Sequence, residues 1–103
     1  MSAWPEVDEL LVAADRFMTP LHMGEGISET ALEGLRKALR DCTDAWRQLD
    51  AIPKPAVNLF VDMCDAIISD SFLYKDEKYA QAIRYIADDL AGLVRESVAL
   101  EVT

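Results

Sequence analysis

Four aspartates, two cysteines and one histidine are the residues whose type and spacing could do chemistry. Asp41 and Asp44 form one D-x-x-D pair, and Asp62 and Asp65 form another. Carboxylates three positions apart share a helix face, and hard divalent cations take oxygen ligands of that kind. Cys42 and Cys64 flank the proline-rich stretch IPKP at 52–55. On two helices folded back at that stretch they would stand at one height, where a disulfide needs Cα atoms within about 7 Å. His22 is the single histidine, and Arg16 precedes it by six positions. An imidazole can move a proton while a guanidinium holds phosphate charge.

Each of these has a plainer reading, and the plainer one is preferred. Two cysteines at core positions act as small hydrophobes, and carboxylates on an acidic helix form a solvated face. Paired acidic motifs on neighbouring helices resemble those of the all-α nucleotide pyrophosphatases of the MazG and dimeric dUTPase type. That resemblance implies a divalent-metal-dependent nucleotide phosphohydrolase, with Asp41, Asp44, Asp62 and Asp65 holding metal that activates water against a triphosphate. It stands as the second reading. The R-x5-H string of Arg16 and His22 is similar to that of the helical HEPN ribonucleases, although it falls here after the first helix rather than late in the bundle.

The elements that must position these residues are helices. Pro5 suits a first turn, with Glu6, Asp8 and Glu9 behind it. A face of Val7, Leu10, Leu11, Ala14, Phe17 and Met18 follows, and Thr19-Pro20 should end the helix near residue 18. Ser28 is a good N-cap for a second helix, with Ile27 able to staple onto Leu32. Its heptad runs Leu32, Leu35, Leu39, Cys42, Trp46, Leu49. Pro55 opens a third helix, and Asp76 caps a fourth whose inner face is Tyr79, Ile83, Ile86, Leu90, Leu93 and Val94.

The expectation is a single all-α domain over residues 1–103, an antiparallel up-down-up-down four-helix bundle. Its helices should span about 5–18, 28–51, 55–74 and 76–101, with the second and third paired as a hairpin and residues 19–27 forming the longest loop. The third helix, PAVNLFVDMCDAIISDSFLY, is the most apolar and should lie at the centre. It carries a second apolar stripe, Val61, Ile68 and Phe72, suited to a homodimer interface.

At 103 residues and 51% hydrophobic the composition is globular, and the net charge is −9. That charge disfavours direct nucleic-acid binding and anionic membranes, and it suits a basic protein partner. The acidic N-terminus has no signal pattern, no apolar run nears the length of about 20 residues that a membrane span needs, and two cysteines make no zinc or disulfide framework. A cytoplasmic setting with no cofactor is expected. Tyr85 should stand on the outer face of helix 4 beside Asp88 and Asp89, an aromatic anchor framed by carboxylates. The preferred reading is a non-catalytic protein that binds a partner, as an inhibitor, immunity protein, antitoxin or adaptor does. A plain dimerisation module is a third reading.

Overall fold

The computed structural model describes residues 4–99. Four helices account for them: α1 (Pro5–His22), α2 (Glu29–Ala45), α3 (Lys54–Ser71) and α4 (Glu77–Val98). The chain is an all-α four-helix bundle, and among the described residues no helix is long and apolar enough to cross a membrane. The caps sit where the sequence puts them. Ser28 accepts from the Ala31 amide and Asp76 from the Lys78 amide.

Direction alternates along the chain, but adjacency does not follow chain order. The start of α1 meets the end of α2, where the Trp46 indole N–H donates to Glu6 at 2.9 Å. The end of α3 meets the start of α4, where Arg84 donates to Ser71. Two hairpins, α1/α2 and α3/α4, then lie side by side: α1 packs on α3, α2 packs on α4, and α2 makes no contact with α3. The expected α2–α3 hairpin is therefore corrected. The reason is local. α2 ends at Ala45, not near 51, and the freed segment turns at Trp46, whose ring meets Phe60 edge-on at 6.2 Å. Residues 46–53, at about 3.3 Å each, reach easily across a bundle whose helix axes are roughly 8–10 Å apart.

The other helix ends also shift. α1 continues through Pro20 to His22, four residues past the expected stop. A helix-interior proline costs about 3 kcal/mol, but Pro20 stands in the last turn, where few bonds remain to lose. Burying Leu21 completely returns about 2 kcal/mol. The Leu21 carbonyl also accepts from the Tyr74 hydroxyl at 2.7 Å. α3 stops at Ser71 rather than 74 and α4 at Val98; the expected helical residues 100 and 101 lie outside the described ones.

The core is built mainly by the first hairpin. α1 buries Val7, Leu10, Ala14, Phe17 and Leu21, and α2 buries Leu32, Leu35, Ala38, Leu39 and Cys42, with Trp46 just beyond. α4 adds Ala80, Ile83, Ala87 and Leu90. From α3 only Ala56, Met63 and Ile67 are buried apolar residues, so the most apolar helix is not the central one. Two polar residues, Asp70 and Ser71, take buried positions instead because His22 and Arg84 meet them there.

The loop 23–28 is tied down by two tyrosines. Tyr74 accepts from the Gly26 amide at 2.9 Å, and Tyr79 accepts from the Ile27 amide at 2.6 Å. Gly26 has φ +95°, and a Cβ there would lie 2.7 Å from the Tyr79 hydroxyl. Only glycine fits.

Candidate functional site

The α3/α4 hairpin carries the most unusual surface among the described residues. Val61, Phe72 and Tyr85 are 68%, 72% and 65% exposed. Of the large hydrophobics only Met23 is comparable, at 67%. All three stand on the solvent side of this hairpin. Val61, Cys64, Ile68 and Phe72 follow each other at helical spacing along the side of α3 next to α4. From α4, the Arg84 guanidinium lies over the Phe72 ring at 4.7 Å, while Asp88 and Arg95 both act electrostatically on Cys64. Tyr85 and Asp88 are one turn apart on the outward side of α4.

Arg84 makes the face rigid at one end. Its Nε donates to Ser71 Oγ at 3.0 Å and its Nη1 to Glu77 at 2.9 Å, and Ser71 in turn donates to the Ile68 carbonyl at 2.6 Å. One side of the Phe72 ring is thus backed by a fixed cation and the other is open. Towards the far end, Gly92 leaves a gap, since a Cβ placed there would meet only Arg95 Nη2 at 3.9 Å.

The sequence treats Tyr85, Asp88 and Asp89 as one surface and Val61, Ile68 and Phe72 as another. The pairing of α3 with α4 links the two sets, since Phe72 meets Arg84 and Asp88 lies near Cys64. Asp89 turns away to α2 and accepts from Arg36 at 3.0 Å. Ile68 is half-buried against the core, so it floors the face rather than projecting from it. The missing signal was the α3–α4 register, which helical periodicity does not encode. Arg84 was missed altogether. Its placement between Ser71, Glu77 and Phe72 becomes visible only when the hairpin closes.

The acidic pairs do not meet. Asp41 accepts from Lys37 at 2.8 Å and Asp44 from Arg47 at 3.0 Å, both on α2, whereas Asp62 and Asp65 are exposed on α3. Because α2 does not pack against α3, the two pairs are not on neighbouring helices, which the metal reading requires. Among the described residues no group of three or more His, Cys, Asp or Glu could hold a metal ion.

Arg16 and His22 also diverge. Arg16 lines the groove between α1 and α2, and His22 lines one between α1 and α3, with Nδ1 donating to Asp70 at 2.9 Å. The cysteines are free thiols on different interfaces. Cys42 points at α1, donating weakly to the Glu6 carbonyl, and burial followed by the nearby Glu6, Asp41 and Glu9 pushes its pKa up to about 12. Burial also raises Cys64, with Asp65 and Asp88 adding to the effect and Arg95 opposing it. Neither thiol has the electropositive setting of a reactive cysteine.

No protein-family model matches the chain, and no curated protein and no solved structure shows significant similarity to it.

Proposed function

We propose that the chain is a non-catalytic protein-binding module that docks through its α3/α4 face. The observation that carries this reading is that Val61, Phe72 and Tyr85, all mostly exposed, stand on the paired helices α3 and α4 or at their end. Isolated exposed hydrophobics are ordinary, whereas several large ones on one hairpin among charged residues favour an interaction site. Phe72 and Tyr85 are anchor-type side chains, and Phe72 is already held in place by Arg84. A preordered anchor loses less entropy on binding. The remaining candidates for chemistry favour no reaction: the thiols lack activation and the aspartate pairs are separated.

The test is site-specific photo-crosslinking in native cells, with a benzophenone side chain at Val61 and, as a control, at Val12 on α1. Position 61 is expected to capture one discrete partner, and Phe72→Ala with Tyr85→Ala should reduce that capture strongly. Equal capture from both positions, or none from position 61, defeats the proposal.

A further inference from the structure

We infer that Met18, His22 and Met23 together bind a soft monovalent metal cation, Cu⁺, in the groove between α1 and α3. That groove measures about 430 Å³ and shares no lining residue with the α3/α4 face, so the inference stands apart from the docking proposed above. The C-terminal end of α1 brings the three donors together. Met18 and His22 are four positions apart on one side of the helix, and Met23 is the C-cap residue just beyond. All three line the groove, and across from them α3 contributes Ala66, Ser69 and Asp70.

The imidazole is arranged as metal-binding histidines are. Its Nδ1 donates to Asp70 at 2.9 Å, and that carboxylate is only 11% exposed while the His22 side chain is 73% exposed. A histidine tied to a carboxylate through one ring nitrogen holds the other in a fixed orientation for a metal. With Nδ1 donating, Nε2 keeps the open lone pair. Among the described residues the Asp70 side chain has no other partner, and no Lys or Arg lines the groove. A cation on Nε2 therefore answers a buried carboxylate that the chain meets only with an imidazole. The C-terminal end of α1 favours positive charge at the same place.

The donor set chooses the metal. Thioether sulfur is soft and uncharged, and the ion that accepts it together with imidazole is Cu⁺. Zn²⁺ is held by thiolate, imidazole and carboxylate, and Mg²⁺ and Ca²⁺ by oxygen. Among the described residues no group of three or more His, Cys, Asp or Glu offers such a set. Methionine has three rotatable bonds, so two adaptable sulfurs can close on one fixed nitrogen. Met23 is 67% exposed and free to do so. The two thiols stand elsewhere, Cys42 against α1 and Cys64 near Asp88 and Arg95 of α4.

The experiment follows the whole chain by NMR, with isotope-labelled methionine methyl groups and histidine ring nitrogens, as Ag⁺ is added in excess. Ag⁺ is an air-stable ion of the same charge and softness. The methyls of Met18 and Met23 and the Nε2 of His22 should move together in one saturable step, while the methyls of Met1 and buried Met63 stay in place. Cu⁺ kept reduced with ascorbate should reproduce the shifts, and Zn²⁺ should not. Asp70→Asn, whose amide oxygen can still accept from Nδ1, should weaken the step by about tenfold. Asp65→Asn, the same charge change on the exposed side of α3, should weaken it by less than about twofold. Met18→Leu with Met23→Leu nearly conserves volume, so the chain should melt as before while the His22 shift is lost. Should Asp70→Asn fail to fold, the methionine variant carries the test alone. Ag⁺ filling only the thiols, Met23 moving without Met18 or His22, a step indifferent to Asp70→Asn, or equal shifts with Zn²⁺ would each overturn the inference. Met18 would then be packing and His22–Asp70 an ion pair only.

Discussion

Tyr79, in the first turn of α4, accepts a hydrogen bond from the Ile27 backbone amide at 2.6 Å, across 52 residues of chain. With its neighbour Tyr74, whose ring centroid is 5.3 Å away, it fixes the α1–α2 loop to the second hairpin. The two tyrosines are not equivalent. Tyr79 satisfies one amide, whereas Tyr74 accepts from Gly26 and donates to the Leu21 carbonyl.

Tyr74→Phe is therefore expected to destabilise the fold more than Tyr79→Phe. The first leaves the Gly26 amide without a partner and takes one of two bonds from the Leu21 carbonyl, which keeps the Gly24 amide at 3.2 Å, at about 1.5–3 kcal/mol in all, and the second leaves one donor, at about 1–2 kcal/mol. Urea unfolding of both variants checks the order. Equal losses would show that water replaces the hydroxyls freely.

The glycines of the same loop make a paired prediction. Gly24→Ala meets open space and suffers only its φ of +77°, a cost of about 1 kcal/mol. Gly26→Ala adds a 2.7 Å clash with the Tyr79 hydroxyl and should lose at least about 2 kcal/mol. In the Tyr79→Phe background the extra cost at position 26 should shrink, because the clashing oxygen is gone. A double-mutant cycle reads this coupling directly.

How far these relationships were legible beforehand differs by kind. Proline placement, the Ser28 and Asp76 caps and the heptad of α2 are local signals, and they led to four helices and most of the core. Adjacency is not local. A periodic pattern says which side of a helix avoids water, but not which neighbour covers it. That is why α3, apolar almost all round, read as central when its only buried apolar residues are Ala56, Met63 and Ile67. The same limit kept Tyr85 and Phe72 on separate surfaces, although each was singled out from its own helix. Pro20 misled for another reason: the tertiary burial of Leu21 overrides the local preference of the residue before proline.

Substitutions on the candidate face should be nearly free energetically. Val61→Ser and Tyr85→Ala are expected to change stability by no more than about 0.5 kcal/mol, since both side chains are mostly in water. Phe17→Ala, at the fully buried centre of α1, should cost about 3–5 kcal/mol. Thermal melts of the three variants test the contrast. A large loss at Val61 would mean that the side chain is covered in solution.

Cys42 supplies a pH dependence. The folded thiol is held up to about 12 against an ordinary 9.0. Above the ordinary value the unfolded chain gives up this proton while the folded chain keeps it, so the unfolded state binds fewer protons and stability falls as pH rises. The contribution is complete below the unfolded value and is lost as pH climbs from there towards the folded one. Cys42→Ala should therefore show a shallower decline of stability with alkaline pH than the parent chain, whatever its cost at neutral pH. The native thiol should also alkylate slowly at neutral pH. Parallel slopes in the two proteins would refute the assignment.

The diagonal course of residues 46–53 has a consequence for how the molecule could be cut and rejoined. Every helix is paired within its own hairpin, and the two hairpins are joined by one strand of backbone that crosses the end of the bundle. A break between Asp50 and Ala51 would sever no helix and separate no hairpin. The two halves, expressed as separate polypeptides, should find each other and rebuild the same core, which would make this bundle a natural scaffold for split-protein reporters.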